Sequence, residues 1–383
     1  MKNWRLLMAL VCVAGISLAA NAQLARIVIP AGTPEDQAIQ AITNESDAAK
    51  KASMWQEFVD KFKENPQAVA YGNWQLSQIN SANGDNAKAL EYGDKALAAM
   101  PTNFDILVAN TGVAQQMKDS AKVIEYATRG GKAYSAIATQ PKPAGMDETE
   151  FAARITEEKG AAQQAHDFLE SSAYNVIAAE KDPKMRLSYI DEYTDAFPDS
   201  QFSEQVNAYA IMSVQQMNDT KKLGEFADRA LAKNPNSVPT LVLLATAFAE
   251  DQNPASATKA ATYARKAIEL AKTDETGADG PKKLQAGMAH SALGYALMKQ
   301  NKTAQAITEL KTASALVKAN PAAYSTVMFR LGYAYTNVKQ YADAKRAFEE
   351  AAANEGPFQD AAKKNLEQIN SAKPGAKRPV KRP

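Results

Sequence analysis

The chain has 383 residues, with 44 lysines and arginines against 43 aspartates and glutamates, a formal net charge of +1. So even a balance offers no bulk attraction to a polyanion, and a nucleic-acid partner is not expected. A single cysteine and two histidines exclude thiolate metal clusters and leave little for histidine chemistry, so no metal and no cofactor is expected.

Lys2 and Arg5 precede an apolar run from Leu6 to Ala20, and Ala20-Asn21-Ala22 then supplies the small-x-small pattern that signal peptidase reads. Residues 1–22 therefore read as a signal peptide cleaved after Ala22, and the chain is expected to be exported, to a periplasm or beyond the cell. The run is shorter than the roughly 18 to 20 residues a membrane span needs. Cys12 lies within it, so the exported chain would carry no disulfide and rely on apolar burial alone.

Residues 23–33 contain Ile27-Val28-Ile29-Pro30 and read as an extended arm. Residues 34–140 read as the first helix pairs. Trp55, Phe58, Val59 and Phe62 share one helical face, and Asn65-Pro66 should stop that helix. One pair follows with helices over 71–82 and 87–100, joined at Asn83-Gly84-Asp85. A second runs from Phe104 to about Ala133 and turns at Lys118-Asp119, with Gly130-Gly131 weakening its second helix.

Residues 141–200 read as an irregular connector, with prolines and a glycine before Asp147 and one long helix from about Glu148 to Ala179. Two echoes stand out. Asp47, Trp55, Phe58 and Phe62 correspond to Asp182, Ile190, Tyr193 and Phe197, each 135 residues on; Gln115-Gln116-Met117-x-Asp119 returns as Gln215-Gln216-Met217-x-Asp219, 100 residues on. The second offset is close to three units of about 34 residues. Residues 201–357 read as further pairs, interrupted by a glycine-rich break from Thr276 to Pro281. Residues 358–371 read as a capping helix. Residues 372–383 hold five basic residues and three prolines, too polar to build a core. They are expected to be disordered and able to touch an anionic envelope surface weakly, at about 1 kcal/mol per charge.

The recurring unit resembles the tetratricopeptide repeat, a helix–turn–helix of about 34 residues. Leu331, Gly332 and Tyr335 stand at its large-small-aromatic positions, and Ala344, Phe348 and Ala351 at the small-large-small positions of the second helix. Leu293-Gly294, Ala306, Leu310 and Ala313 repeat the pattern with Leu297 in the aromatic place. Leu76-Ser77, Ala89 and Ala96 do so with Gly93 where a large residue is usual. The resemblance covers most of residues 68–357. It implies an all-α fold, a right-handed α-α superhelix (solenoid) of six or seven helix pairs, with the first helix of each pair on the concave side.

The sequence carries no nucleophile elbow, zinc-protease motif, phosphate loop or calcium loop, so no catalytic residue is expected. His166 and His290 follow alanines at matching places after the two breaks, which duplication explains better than a shared metal. The concave face is the better candidate. The resemblance places Tyr71, Trp74, Gln115, Gln116, Gln215, Gln216, Tyr295, Met298, Phe329 and Tyr333 on or near it, where rings supply contact area and amides bond a peptide backbone. The expected function is a non-enzymatic scaffold that binds a protein or peptide partner. The rivals are an envelope assembly factor and a carbohydrate-binding or degrading solenoid, the last requiring paired carboxylates at a cleft.

Overall fold

The computed structural model describes residues 26–272 and 280–371. The signal peptide, the basic tail and most of the Thr276–Pro281 break lie outside the described residues. Among those described, every regular element is an α-helix, and none is long and apolar enough to cross a membrane. The chain divides into two compact units, Met1–Ser172 and Ala173–Pro383.

Unit 1 opens with α1 (Pro34–Thr43) and α2 (Ala48–Lys61), preceded by a stretch at residues 26–30 that is neither helix nor strand. Then come two pairs, α3 (Pro66–Ala82) with α4 (Asn86–Ala99) and α5 (Phe104–Gln116) with α6 (Ser120–Ile137). Asn65-Pro66 does more than stop α2: Asn65 caps α3, accepting from the N–H groups of Gln67 and Ala68, and Pro66 takes the first turn, where its missing N–H costs nothing. Nor does Gly130-Gly131 end α6. Leu169 of α7 (Glu148–Ala179) packs so close that its Cδ1 would lie 2.3 Å from a Cβ at position 130, and the absent side chain is what admits it. The division between the units falls inside α7.

Unit 2 holds α8 (Pro183–Ala196) and four pairs: α9 (Ser203–Gln216) with α10 (Thr220–Lys233), α11 (Val238–Glu250) with α12 (Ser256–Ala271), α13 (Gly280–Lys299) with α14 (Thr303–Val317), and α15 (Pro321–Asn337) with α16 (Tyr341–Ala353). α17 (Gln359–Ser371) packs on the last pair. The glycine-rich break ends earlier than its composition suggests, because Gly280 and Pro281 already form the first turn of α13. First helices touch in succession, α9 on α11, α11 on α13 and α13 on α15, so they form a continuous layer.

The helix pairs match what the tetratricopeptide resemblance implies. Ala89, Ala96, Ala306, Leu310, Ala313, Ala344, Phe348 and Ala351 are all fully buried. A Cβ on Gly332 would meet the Phe348 ring at 2.8 Å, and one on Gly294 would meet Leu310 at 2.7 Å, so the small residue lets the large one in. Burying a ring such as Phe348 contributes about 1.5–3 kcal/mol, which a forced rotamer there would erode. Gly93 is explained by its neighbour: the side chain of Asn110 fills the space a large residue would take.

The turns also repeat. In five pairs the residue between the helices adopts the left-handed conformation: Gly84, Lys118, Asn218, Asn301 and Lys339, with φ from 53° to 78°. The next N–H then bonds back to the carbonyl five residues earlier, as from Asp119 to Ala114 and from Lys302 to Leu297. This is the 6→1 closure of a Schellman motif. The 135-residue echo is structural too. Asp47 and Asp182 each cap a 14-residue helix, and the Phe58–Phe62 and Tyr193–Phe197 ring pairs both stand 4.9 Å apart.

Candidate functional site

The expected site residues separate into three groups. Phe329 is core, not surface. It is 1 % exposed, stacked at 4.9 Å and 3° on Phe358 and tilted against Phe348 at 5.6 Å. Tyr295, Met298 and Tyr333 are likewise buried, because a first helix packs both on its own partner and on the first helices beside it. Tyr71 joins the Trp55–Phe58 cluster edge-on, 5.5 Å from Trp55, and Trp74 lies half-buried 6.5 Å from Tyr71. The glutamines are the accessible ones. Gln115 and Gln116 are exposed, Gln115 donating to Ser172 Oγ at 2.9 Å and Gln116 accepting from Asn86 at 3.3 Å. Gln216 is exposed and Gln215 half-buried.

Unit 2 contains an arrangement the sequence did not announce. A cavity of about 360 Å³ is walled by Thr246 and Glu250 of α11, Met288 and Ser291 of α13, Thr326, Val327 and Arg330 of α15, and Phe358 before α17. Three successive first helices thus contribute to one hollow. Its apolar walls are Met288, Val327 and Phe358; its polar floor is Arg330. Arg330 is 3 % exposed, and its guanidinium donates to Glu250 Oε1 at 2.7 Å and Ser291 Oγ at 2.9 Å and lies 4.9 Å from the centre of the Tyr295 ring. Burial lowers its pKa from the ordinary value, opposed by the Glu250 carboxylate and Tyr295. Its Nε has no acceptor among the described residues. A buried cation with an unmet donor is expensive, by several kcal/mol if Glu250 were removed, so the site is built rather than incidental. Tyr295 accordingly serves as the surface on which Arg330 rests.

Glu250 remains 44 % exposed and also borders a second hollow of about 190 Å³. Gln215, Asn218, Asp219 and Thr220 line that hollow with Asp251, so one carboxylate borders both the cavity on the first helices and a recess at the α9–α10 turn. Asp251 is engaged by the Thr220 and Ser256 hydroxyls. Lys299, half-buried, donates to the Asp251 carbonyl at 2.7 Å, and burial lowers its pKa. The motif that could have exposed the site is Met328-Phe329-Arg330-Leu331, a cation inside an apolar run.

Elsewhere in unit 2 a cavity of about 390 Å³ is lined by Tyr193, Phe197, Phe226, Asp199 and Glu204. It brings two carboxylates to one cleft. Both are exposed and Glu204 accepts from Ser237, whereas a glycosidase acid sits in a dry apolar pocket. In unit 1 His166, Asp167 and Glu170 gather within 4.8 Å, but the His166 ring packs tilted against Tyr134 at 4.1 Å and Glu170 is buried with a partner of its own. His290 bonds Glu309 at 2.6 Å.

No protein family and no curated protein matches the chain. Among solved structures, the TPR domain of P58(IPK) aligns with 88 % of this chain and 98 % of its own, at 12 % identity and a TM-score of 0.29. At that score the likeness says nothing about what this chain binds.

Proposed function

We propose that the chain is a non-enzymatic interaction scaffold, exported by its first 22 residues, that holds a partner polypeptide along the first helices of unit 2. The observation that carries this is the Arg330 cavity, in which three successive first helices surround a buried, incompletely bonded guanidinium. An extended segment lying across α11, α13 and α15 would bury side chains against Met288, Val327 and Phe358 and meet polar groups at intervals. The accessible Gln215 extends the same strip to α9.

A photo-crosslinker at Met288 should trap the partner in envelope extract, whereas one at exposed Ala304 on α14 should not. Thr326→Trp, which fills the cavity from its wall, should abolish the Met288 adduct while leaving the helical signal and melting temperature near wild type. Equal adduct yields at both positions, or an adduct that survives Thr326→Trp, would contradict the proposal.

A further inference from the structure

The two recesses that Glu250 borders also constrain the chemistry of what they hold; this inference rests on the scaffold reading and deepens it. The charged residues lining them are Asp219, Glu250 and Asp251 against Arg330, and the Lys299 ammonium stands beside them on the Asp251 carbonyl, so three carboxylates face two cations and one negative charge remains in excess. Arg330 is fully buried and already neutralised by Glu250 at 2.7 Å, so it presents no free positive charge to a ligand. Asp219 caps α10 by accepting from the Lys222 N–H, and Asp251 is taken by hydroxyls. Glu250 is the carboxylate of the three that stands half-exposed on the border between the hollows, with one oxygen on Arg330.

An acidic segment or a free C-terminal carboxylate would meet this excess of negative charge. A segment carrying a cation would not. The larger recess, meanwhile, is walled by Met288, Val327, Pro357 and Phe358, and its volume of about 360 Å³ admits one or two apolar side chains.

We infer that the partner segment is extended and apolar-basic: an apolar side chain seats against Met288, Val327 and Phe358, and a neighbouring lysine or arginine engages Glu250. The smaller recess, with Gln215, Asn218 and Thr220, takes the polar residue beyond the cation.

The test is a peptide array in a Gly/Ser background, with each apolar residue followed at one or two positions by Lys, Arg, Gln, Glu or Asp, probed with the full chain and titrated by fluorescence anisotropy. Leu-, Ile- or Phe-containing peptides with Lys or Arg should bind about tenfold more tightly than the same peptides with Glu or Asp, and the gap should shrink as salt rises. Glu250→Gln should remove the preference for Lys over Gln while keeping the preference for apolar residues. Should that variant unfold for want of a counter-charge on Arg330, the salt dependence of the wild-type chain decides alone. Equal binding of basic and acidic peptides, a preference for acidic ones, or no binding of apolar-basic peptides overturns the inference. If it fails while the Met288 adduct remains sensitive to Thr326→Trp, the scaffold reading stands and only the partner's chemistry is wrong. If that adduct is insensitive as well, both fall.

Discussion

Gln115-Gln116-Met117-Lys118-Asp119 and Gln215-Gln216-Met217-Asn218-Asp219 fold into the same turn in different units. Lys118 and Asn218 both adopt the left-handed conformation, at φ 57° and 53°; the following aspartate bonds back to Ala114 or Val214. Asp119 and Asp219 then cap the next helix, each accepting from the lysine N–H three residues on at 3.0 Å. What differs is the neighbourhood. Gln115 is bonded to Ser172 of α7, whereas Gln215 lines the smaller recess beside Glu250. The echo in sequence therefore marks how a helix pair closes, and the neighbouring elements decide whether the same amide is structural or available to a ligand.

Substitutions at matched positions can break or sharpen that equivalence. The largest effect belongs to the caps. Asp119→Ala and Asp219→Ala should each cost about 1 kcal/mol of unfolding free energy in urea titrations, and a difference above about 1 kcal/mol between them would show that the turns are not energetically alike. Next are the glutamines. Gln115→Ala should cost roughly 0.5–1.5 kcal/mol through the lost bond to Ser172, while Gln215→Ala should leave stability within about 0.5 kcal/mol and lower partner crosslinking at Met288. A stability loss equal to that of Gln115→Ala would return Gln215 to a structural role. Smallest are the turn residues. Lys118→Gly should stabilise by about 0.5 kcal/mol because lysine is strained at positive φ, and Asn218→Gly should be close to neutral because asparagine tolerates it. Thermal melts of the two variants side by side check the sign.

The helix pairs were legible in the sequence because their signals are local. Small residues opposite large ones, turn residues between apolar runs and a capping aspartate all lie within one unit, and the long α7 was readable to its ends. The glycines misled where their role was tertiary: Gly130 weakens a helix on propensity, yet it is required by Leu169, distant in sequence. The site was illegible for a related reason. Arg330 stood in plain view, but its counter-charge Glu250 lies 80 residues earlier on another pair, beyond any spacing rule. The register of the resemblance puts Phe329 and Tyr333 on the concave face, but a first helix buried on several sides has a weak apolar stripe, so the pattern does not say which side a ring takes.

The terminal pair, α15 with α16, owes its completeness to one ring outside it. Phe358 covers Phe329 and also forms a wall of the Arg330 cavity. The plug of the last core and the side of the recess are therefore the same atoms. If a ligand in the recess favours the seated Phe358, linkage requires that it tighten α17 by the same free energy with which loosening α17 would weaken the ligand. Occupancy would then be read at α17, in how far that helix frays.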